Sequence, residues 1–314
     1  MNKTRLYFVT SAPRSGSTWL ATALGEHPQV FATEQRLFGE FCQMWPNNNG
    51  RLAPRITLDA YAQALSVHYR HRDLAESRSE FVDQFVSEYI EFLVSFAVRR
   101  TGKPVIVDKI TPYAGTWPLV QSQIKKYLPE SRLIHLVRDG RDVATSGAFD
   151  WLLKDAAGTP RYQFFIENTI GMTLTRFFDD ELIRKWAGIW NESVRSYSPQ
   201  TYRGKIRYEE MLADQAQVLR QVFEWLEVDT NDAVVQRCVE RSSFERTSGR
   251  PPGAMDATNK QRIGVSGNWR EYFTRRDAEL FDRVAGEALV AECYETDNRW
   301  VRDRADDLSM CVPG

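Results

Sequence analysis

Residues 7–20, YFVTSAPRSGSTWL, constrain this chain more than any other stretch, because they read as a strand running directly into a phosphate-binding turn. Tyr7 to Val9 form a short apolar, β-favouring run. Ala12 to Thr18 then gather a Pro, a Gly, a cation and three hydroxyls, and Trp19 to Gly25 reads as helix. In such a turn the backbone N–H groups point outward and the helix N-terminus adds positive potential, so an anion can sit there without a metal. Arg14 supplies a full charge and a fork of donors, and Ser15, Gly16, Ser17 and Thr18 supply hydroxyls and close backbone approach.

A loop for nucleoside triphosphates carries G-x-x-x-x-G-K-[ST]. Here Ser17 follows Gly16, no Gly stands five residues before it, and the cation precedes the glycine. The pattern points to a related loop for a nucleotide with a shorter phosphate chain. A solvated Ser/Gly turn with one Arg is the plainer alternative.

Further strand-like runs lie at Val105–Val107, Leu133–Val137 and Lys205–Arg207, with helix-like segments between them. That alternation predicts an α/β fold, a parallel sheet with crossover helices. The clearest helix is Glu80 to Arg100, whose Phe81, Phe85, Tyr89, Phe92 and Phe96 recur at helical spacing and are expected to face the core. Later helices are expected at Ile183–Ser196, Gln215–Glu227 and Arg276–Glu292. Residues 246–261, with Gly249, Pro251, Pro252 and Gly253, read as a long lid-like loop. The aromatic-rich residues 148–180 read as an insertion or cap on the acceptor side, and the polar tail after Val301 is expected to fray.

A second strand-then-helix unit spans residues 132–146, RLIHLVRDGRDVATS. Arg138 falls at the carboxyl end of the strand, where open α/β sheets bind ligands. Ser146, about two helical turns on, can face back toward it and share an anion. Asp139 and Asp142 pairing with Arg138 and Arg141 is the structural alternative. A third piece, Arg262-Ile263-Gly264-Val265-Ser266-Gly267-Asn268-Trp269-Arg270, brings two glycines and flanking cations.

Composition bounds the partners. The 314 residues carry a formal net charge of −1, which argues against a general nucleic-acid binder. Four scattered cysteines and four histidines suggest neither a disulfide frame nor a metal cluster. No segment reads as a signal peptide or a membrane span, so a cytoplasmic protein is expected. Nothing in the sequence indicates an oligomeric state.

Taken together, the three pieces resemble the sulfotransferases that use 3′-phosphoadenosine 5′-phosphosulfate (PAPS). Asp108-Lys109 with Pro112, and Ile206 to Glu210, add matches in the same order, over about residues 5 to 275. The resemblance implies one P-loop-like domain, a three-layer sandwich with helices on both faces of the sheet. It implies that Arg14 contacts the bridging oxygen and that Ser15, Gly16, Ser17 and Thr18 cradle the 5′-phosphate. Trp19 and Tyr208 would lie against adenine, while Arg138, Ser146, Arg262 and the backbone of Gly264 would take the 3′-phosphate. Two departures stand out: Ile263 replaces a Lys common in cytosolic members, and Thr111 falls where those members carry a basic His.

Sulfuryl transfer needs positioning, charge stabilisation and a base for the acceptor hydroxyl. The resemblance to members acting on protein tyrosine and glycans implies Glu34 as that base, with Arg36 nearby and Lys109 assisting Arg14; a solvated loop Glu is the alternative. His27 is expected to end a helix, and His135 to be a core histidine. The implied reaction is PAPS-dependent sulfation of a small-molecule hydroxyl on a lipid, polyketide-type metabolite or glycoside, without a metal. A nucleotide-dependent phosphotransferase and a non-catalytic nucleotide-binding protein are the rival readings.

Overall fold

The computed structural model describes residues 4–34, 78–112, 115–155, 176–259 and 261–308. The apolar run at the N-terminus forms β1 (Arg5–Thr10), in which Phe8 and Val9 are fully buried. It lies at the centre of a five-stranded sheet with order β2-β3-β1-β4-β5, formed with β2 (Val30–Glu34), β3 (Val105–Ile110), β4 (Arg132–Val137) and β5 (Tyr202–Arg207). Every neighbouring pair is parallel. In chain order the helices are α1 (Ser17–Gly25), α2 (Arg78–Thr101), α3 (Trp117–Tyr127), α4 (Gly140–Asp155), α5 (Asp180–Arg195), α6 (Tyr208–Ala213), α7 (Gln215–Leu226), α8 (Asp232–Ser242), α9 (Phe244–Ser248) and α10 (Arg275–Ala291). Short 3-10 turns occupy Asn268–Glu271 and Asn298–Val301.

Alternation along the strands sorts the layers. Tyr7, Val9, Val107, Ile134 and Leu136 pack with Leu20 and Leu24 of α1, Phe223 of α7 and Val235 of α8. Phe8, Ile106, Ile110 and Leu133 pack instead with Val86 and Ile90 of α2 and Val120 and Ile124 of α3. A further cluster joins Val143 of α4, Ile183 and Trp190 of α5, and Phe281 of α10. At roughly 1.5–3 kcal/mol for each fully buried large apolar side chain, these cores make the sheet a rigid frame for the loops at its carboxyl edge.

Those loops converge by topology. The chain leaves β1 for the edge strand β2 on one side, and leaves β4 for β5 on the other. The connections diverge between β1 and β4, and the crevice outside their carboxyl ends is the place where such sheets bind ligands. The turn holding Arg14 follows β1, and Arg138 follows β4.

Several sequence expectations change. Residues 30–34 form a strand rather than a loop, so Glu34 is held by the edge of the sheet. Helix α2 forms as its periodicity predicts, but its aromatic stripe is not core: Phe92 and Phe96 are 53% and 49% exposed, while Val86 and Ile90 are buried. The five aromatics instead run side by side along the helix at centroid spacings of 5.9–6.5 Å. The first described part of the tail does not fray, since the Arg275 N–H donates to the Ala305 carbonyl at 2.7 Å. In residues 148–180, Phe149, Phe177 and Phe178 are buried in the core with Tyr272 and Phe273; residues 156–175 lie outside the described ones. Among the described residues no helix is long and apolar enough to cross a membrane.

Candidate functional site

The turn between β1 and α1 reverses through Arg14 and Gly16, both left-handed, with φ of 71° and 90°. A Cβ on Gly16 would lie 2.5 Å from Cδ2 of Tyr208, so both the backbone and the neighbouring ring require glycine there. Ser15 and Ser17 are buried, and the Ser15 hydroxyl has no hydrogen-bond partner among the described residues. Thr18 sits exposed on the first turn of α1.

Arg14 is tied to α4 and to Arg138. Its Nε donates to Ser146 Oγ at 3.1 Å and its Nη1 to Asp150 Oδ1 at 3.3 Å. Its carbonyl accepts from Arg138 Nη1 at 3.2 Å. Ser146 and Asp150 lie one helical turn apart on α4, which is why a single guanidinium reaches both.

Arg138 leaves the end of β4 nearly buried. Besides Arg14 it donates through Nη2 to the Val265 carbonyl at 3.0 Å, and its guanidinium stacks 4.3 Å from the centre of the Tyr208 ring. Tyr208, the first residue of α6, meets Trp19 edge-on at 5.7 Å. Both readings of the Arg138 segment therefore hold. Arg141 binds Asp139 at 2.8 Å, while Asp142 lies 3.6 Å from Arg138, which still reaches the turn after β1.

The C-terminal segment closes on the same place. Arg262 is buried, bonded to Asn268 and stacked 4.5 Å from the Phe149 ring centre. Burial above all, with the positive charge of Arg138 adding to it, lowers the Arg262 pKa from its ordinary value. Two buried guanidiniums that repel one another are what an anion site requires when no anion is bound. Both keep an Nε without a partner among the described residues. Gly264, at φ 69°, packs so closely on Phe244 that a Cβ would fall 2.6 Å from its ring. The residue 246–261 loop is organised by Arg250, whose fork donates to the carbonyls of Ala254 and Gln261, each at 2.6 Å, and of Arg262 at 3.2 Å.

A second set gathers at the ends of β2 and β3, where Glu34 and Lys109 are register partners. Lys109 Nζ donates to Glu34 Oε2 and to Thr18 Oγ1, both at 3.1 Å. The lysine is buried, whereas the Glu34 side chain is 47% exposed and open to an incoming hydroxyl. Arg36 lies outside the described residues.

The two histidines hold their structural places. The His27 ring accepts from the Gln29 N–H at 3.1 Å and lies 2.9 Å from the Asp229 carbonyl, so it closes the turn after α1. His135 is fully buried with Nδ1 3.3 Å from Thr10 Oγ1, and burial pulls its pKa down to about 3.

Sequence reasoning missed Asp150, a lone acid among aromatics. Its only sequence signal is the four-residue interval after Ser146. Asp142 it read merely as a partner for Arg138. The carboxylate also accepts the Gly267 N–H at 2.7 Å and the Trp269 N–H at 2.9 Å, which local sequence cannot reveal across 125 or more residues.

A model of the Sulfotransferase family matches residues 7–232, a span that includes the turn after β1, Glu34, Lys109, Arg138 and Ser146 but not the Arg262 segment. Sulfotransferase 1B1 of Mus musculus is 27% identical over 173 residues, covering 49% of this chain and 52% of that protein. Sulfotransferase 2A1 of Homo sapiens is 22% identical over 178 residues, covering 51% and 57%. The matched region thus spans about half the length of these curated relatives. Among solved structures, mouse sulfotransferase SULT7A1 complexed with PAP superposes with a TM-score of 0.51 at 18% identity, covering 96% of this chain and 89% of that one, a likeness of fold. With the family model matched over more than two thirds of its length, this chain belongs to the sulfotransferase family.

Proposed function

We propose that the chain transfers a sulfonate from PAPS to a hydroxyl group of a small-molecule acceptor. The observation that carries the reading is the convergence of Arg14, Arg138 and Arg262, from three distant stretches of sequence, beside the turn after β1. The residues present fit the nucleotide. The unpartnered Nε atoms of Arg138 and Arg262 and the Ser15 hydroxyl are buried donors awaiting an acceptor, and Gly16 leaves the room that a Cβ would fill. When bound, PAPS supplies the sulfonate and a bisphosphate leaving group, PAP (adenosine 3′,5′-bisphosphate).

Each residue then has a task in this reading. Ser15, Gly16, Ser17 and Thr18 hold the 5′-phosphate with hydroxyl and backbone donors. Arg138, Ser146, Arg262 and the Gly264 backbone hold the 3′-phosphate, and Trp19 with Tyr208 flanks the adenine. Their three guanidiniums supply the positive charge, so no metal enters the proposal. Arg14 and Lys109 stabilise charge on the transferring group, and Glu34 accepts the proton of the acceptor hydroxyl as its oxygen bonds to sulfur. Lys109 orients Glu34 for this by hydrogen bonding to one carboxylate oxygen. The acceptor is proposed as a lipid, a polyketide-type metabolite or a glycoside, and the setting as cytoplasmic, in keeping with the free thiols of Cys238 and Cys293.

The test is a comparison of ligands by thermal unfolding. PAP at a hundred times its Kd is expected to stabilise the chain by about 2.7 kcal/mol. Stabilisation by ATP with Mg²⁺ and none by PAP overturns the proposal in favour of a phosphotransferase.

A further inference from the structure

Asp142 is a buried carboxylate for which the proposed reaction has no use. It lies on the first turn of α4, and both of its oxygens are occupied. Oδ2 accepts the Gly267 N–H at 2.7 Å and lies 3.6 Å from Arg138 Nη2, while Oδ1 accepts the Trp269 N–H at 2.9 Å. The 3-10 turn Asn268–Glu271 begins there, with Gly267 at φ 79° as its left-handed cap. Arg138 Nη2 in turn holds the Val265 carbonyl at 3.0 Å. One acid and one arginine thus fix residues 265–269 from both sides, and Arg262 is tied to the same turn through its bond to Asn268. Burial pushes the Asp142 carboxyl above the ordinary range, opposed by Arg138 and by the two backbone N–H groups.

A carboxylate beside an anion site is costly by charge alone, since it repels the ligand. Its presence needs a compensating task, and the two backbone bonds supply one. We propose that Asp142 is a positioning residue for the nucleotide 3′-phosphate: it pins the Gly267–Trp269 turn to α4 and so holds Arg262 and Gly264 beside Arg138 and Ser146. This inference rests on the PAPS reading above.

Asp142→Asn tests it, with binding of PAP and of adenosine 5′-phosphate, which lacks the 3′-phosphate, measured calorimetrically on the full chain. By charge alone the substitution removes a negative group and should tighten PAP. By positioning it loses an acceptor for one backbone N–H, and the preference for PAP over adenosine 5′-phosphate should fall roughly tenfold, the size of one charge-assisted hydrogen bond. Affinity for adenosine 5′-phosphate should stay within about twofold, because the 5′-phosphate turn is untouched. Parallel weakening of both nucleotides, or an unchanged or greater preference, overturns the positioning role. A wild-type chain that shows no preference for PAP defeats the PAPS reading itself, and this inference with it.

Should the variant not fold, hydrogen exchange of the wild-type Gly267 and Trp269 amides decides. Slow exchange, slowed further by PAP and not by adenosine 5′-phosphate, supports the clamp. Exchange as fast as in an open loop, or equal slowing by both nucleotides, overturns it.

Discussion

Replacing Gly16 with Ala perturbs the site at its tightest point. Alanine at φ 90° costs about 1–2 kcal/mol for the left-handed backbone alone. The added Cβ would then stand 2.5 Å and 2.8 Å from Cδ2 and Cε2 of Tyr208, so the ring must move. That ring carries the Arg138 guanidinium at 4.3 Å, a contact contributing about 0.5–2 kcal/mol. The sum is roughly 2–4 kcal/mol of lost stability. PAP affinity should fall as well, because Arg138 and the turn after β1 shift together. Gly102→Ala is the control: its φ is 68° and no atom lies within 4 Å of the added Cβ, so only the backbone cost applies. Urea unfolding of both variants, with PAP titrations, separates the two terms. If Gly16→Ala is no less stable than Gly102→Ala, or binds PAP as the wild type does, the packing of Tyr208 on the turn is not what shapes the site.

Two more outcomes follow from the same geometry. Asp150→Asn releases Arg14 from a part-buried ion pair worth at most about 1 kcal/mol, so PAP should bind up to roughly fivefold tighter in calorimetry; weaker binding would mean that Asp150 supports the site rather than competing for Arg14. His135 titrates near 6.5 when unfolded but near 3 when folded, so its contribution is complete above pH 6.5 and is lost as pH falls toward 3, by up to about 1.4 kcal/mol per pH unit. His135→Phe should flatten that part of the acid slope in urea midpoints between pH 6.5 and 4.5, and an unchanged slope would remove His135 as its source.

What the sequence made legible depended on how local the signal was. β1, β3 and β4 announce themselves because strands buried on both faces are unbroken apolar runs. β2 does not, because Val30-Phe31-Ala32-Thr33 is a short edge segment, partly exposed, that follows a His-Pro turn. The α2 periodicity found the helix but not its inner face, since Phe and Tyr outweigh Val86 and Ile90 on any hydrophobic reading. Helix α3 was passed over because its Trp117-Pro118 start resembles a turn, although Pro is well suited to the first helical position. At the site, Arg14, Arg138 and Arg262 were legible as cations beside Gly or Ser at strand ends. Asp142 and Asp150 were not, because their partners are backbone and side-chain groups more than a hundred residues away in sequence.

The reaction itself is the most direct test. Purified chain is incubated with PAPS carrying a labelled sulfonate and an extract of small hydroxyl compounds, and the labelled product is identified by mass. The expected result is label on an acceptor hydroxyl with the wild type. With Glu34→Gln a loss of about a hundredfold or more is expected, while PAP binding stays nearly intact. Full transfer by Glu34→Gln would remove Glu34 as the base. No transfer by a wild-type chain that binds PAP would leave it a nucleotide-binding protein rather than a sulfotransferase enzyme.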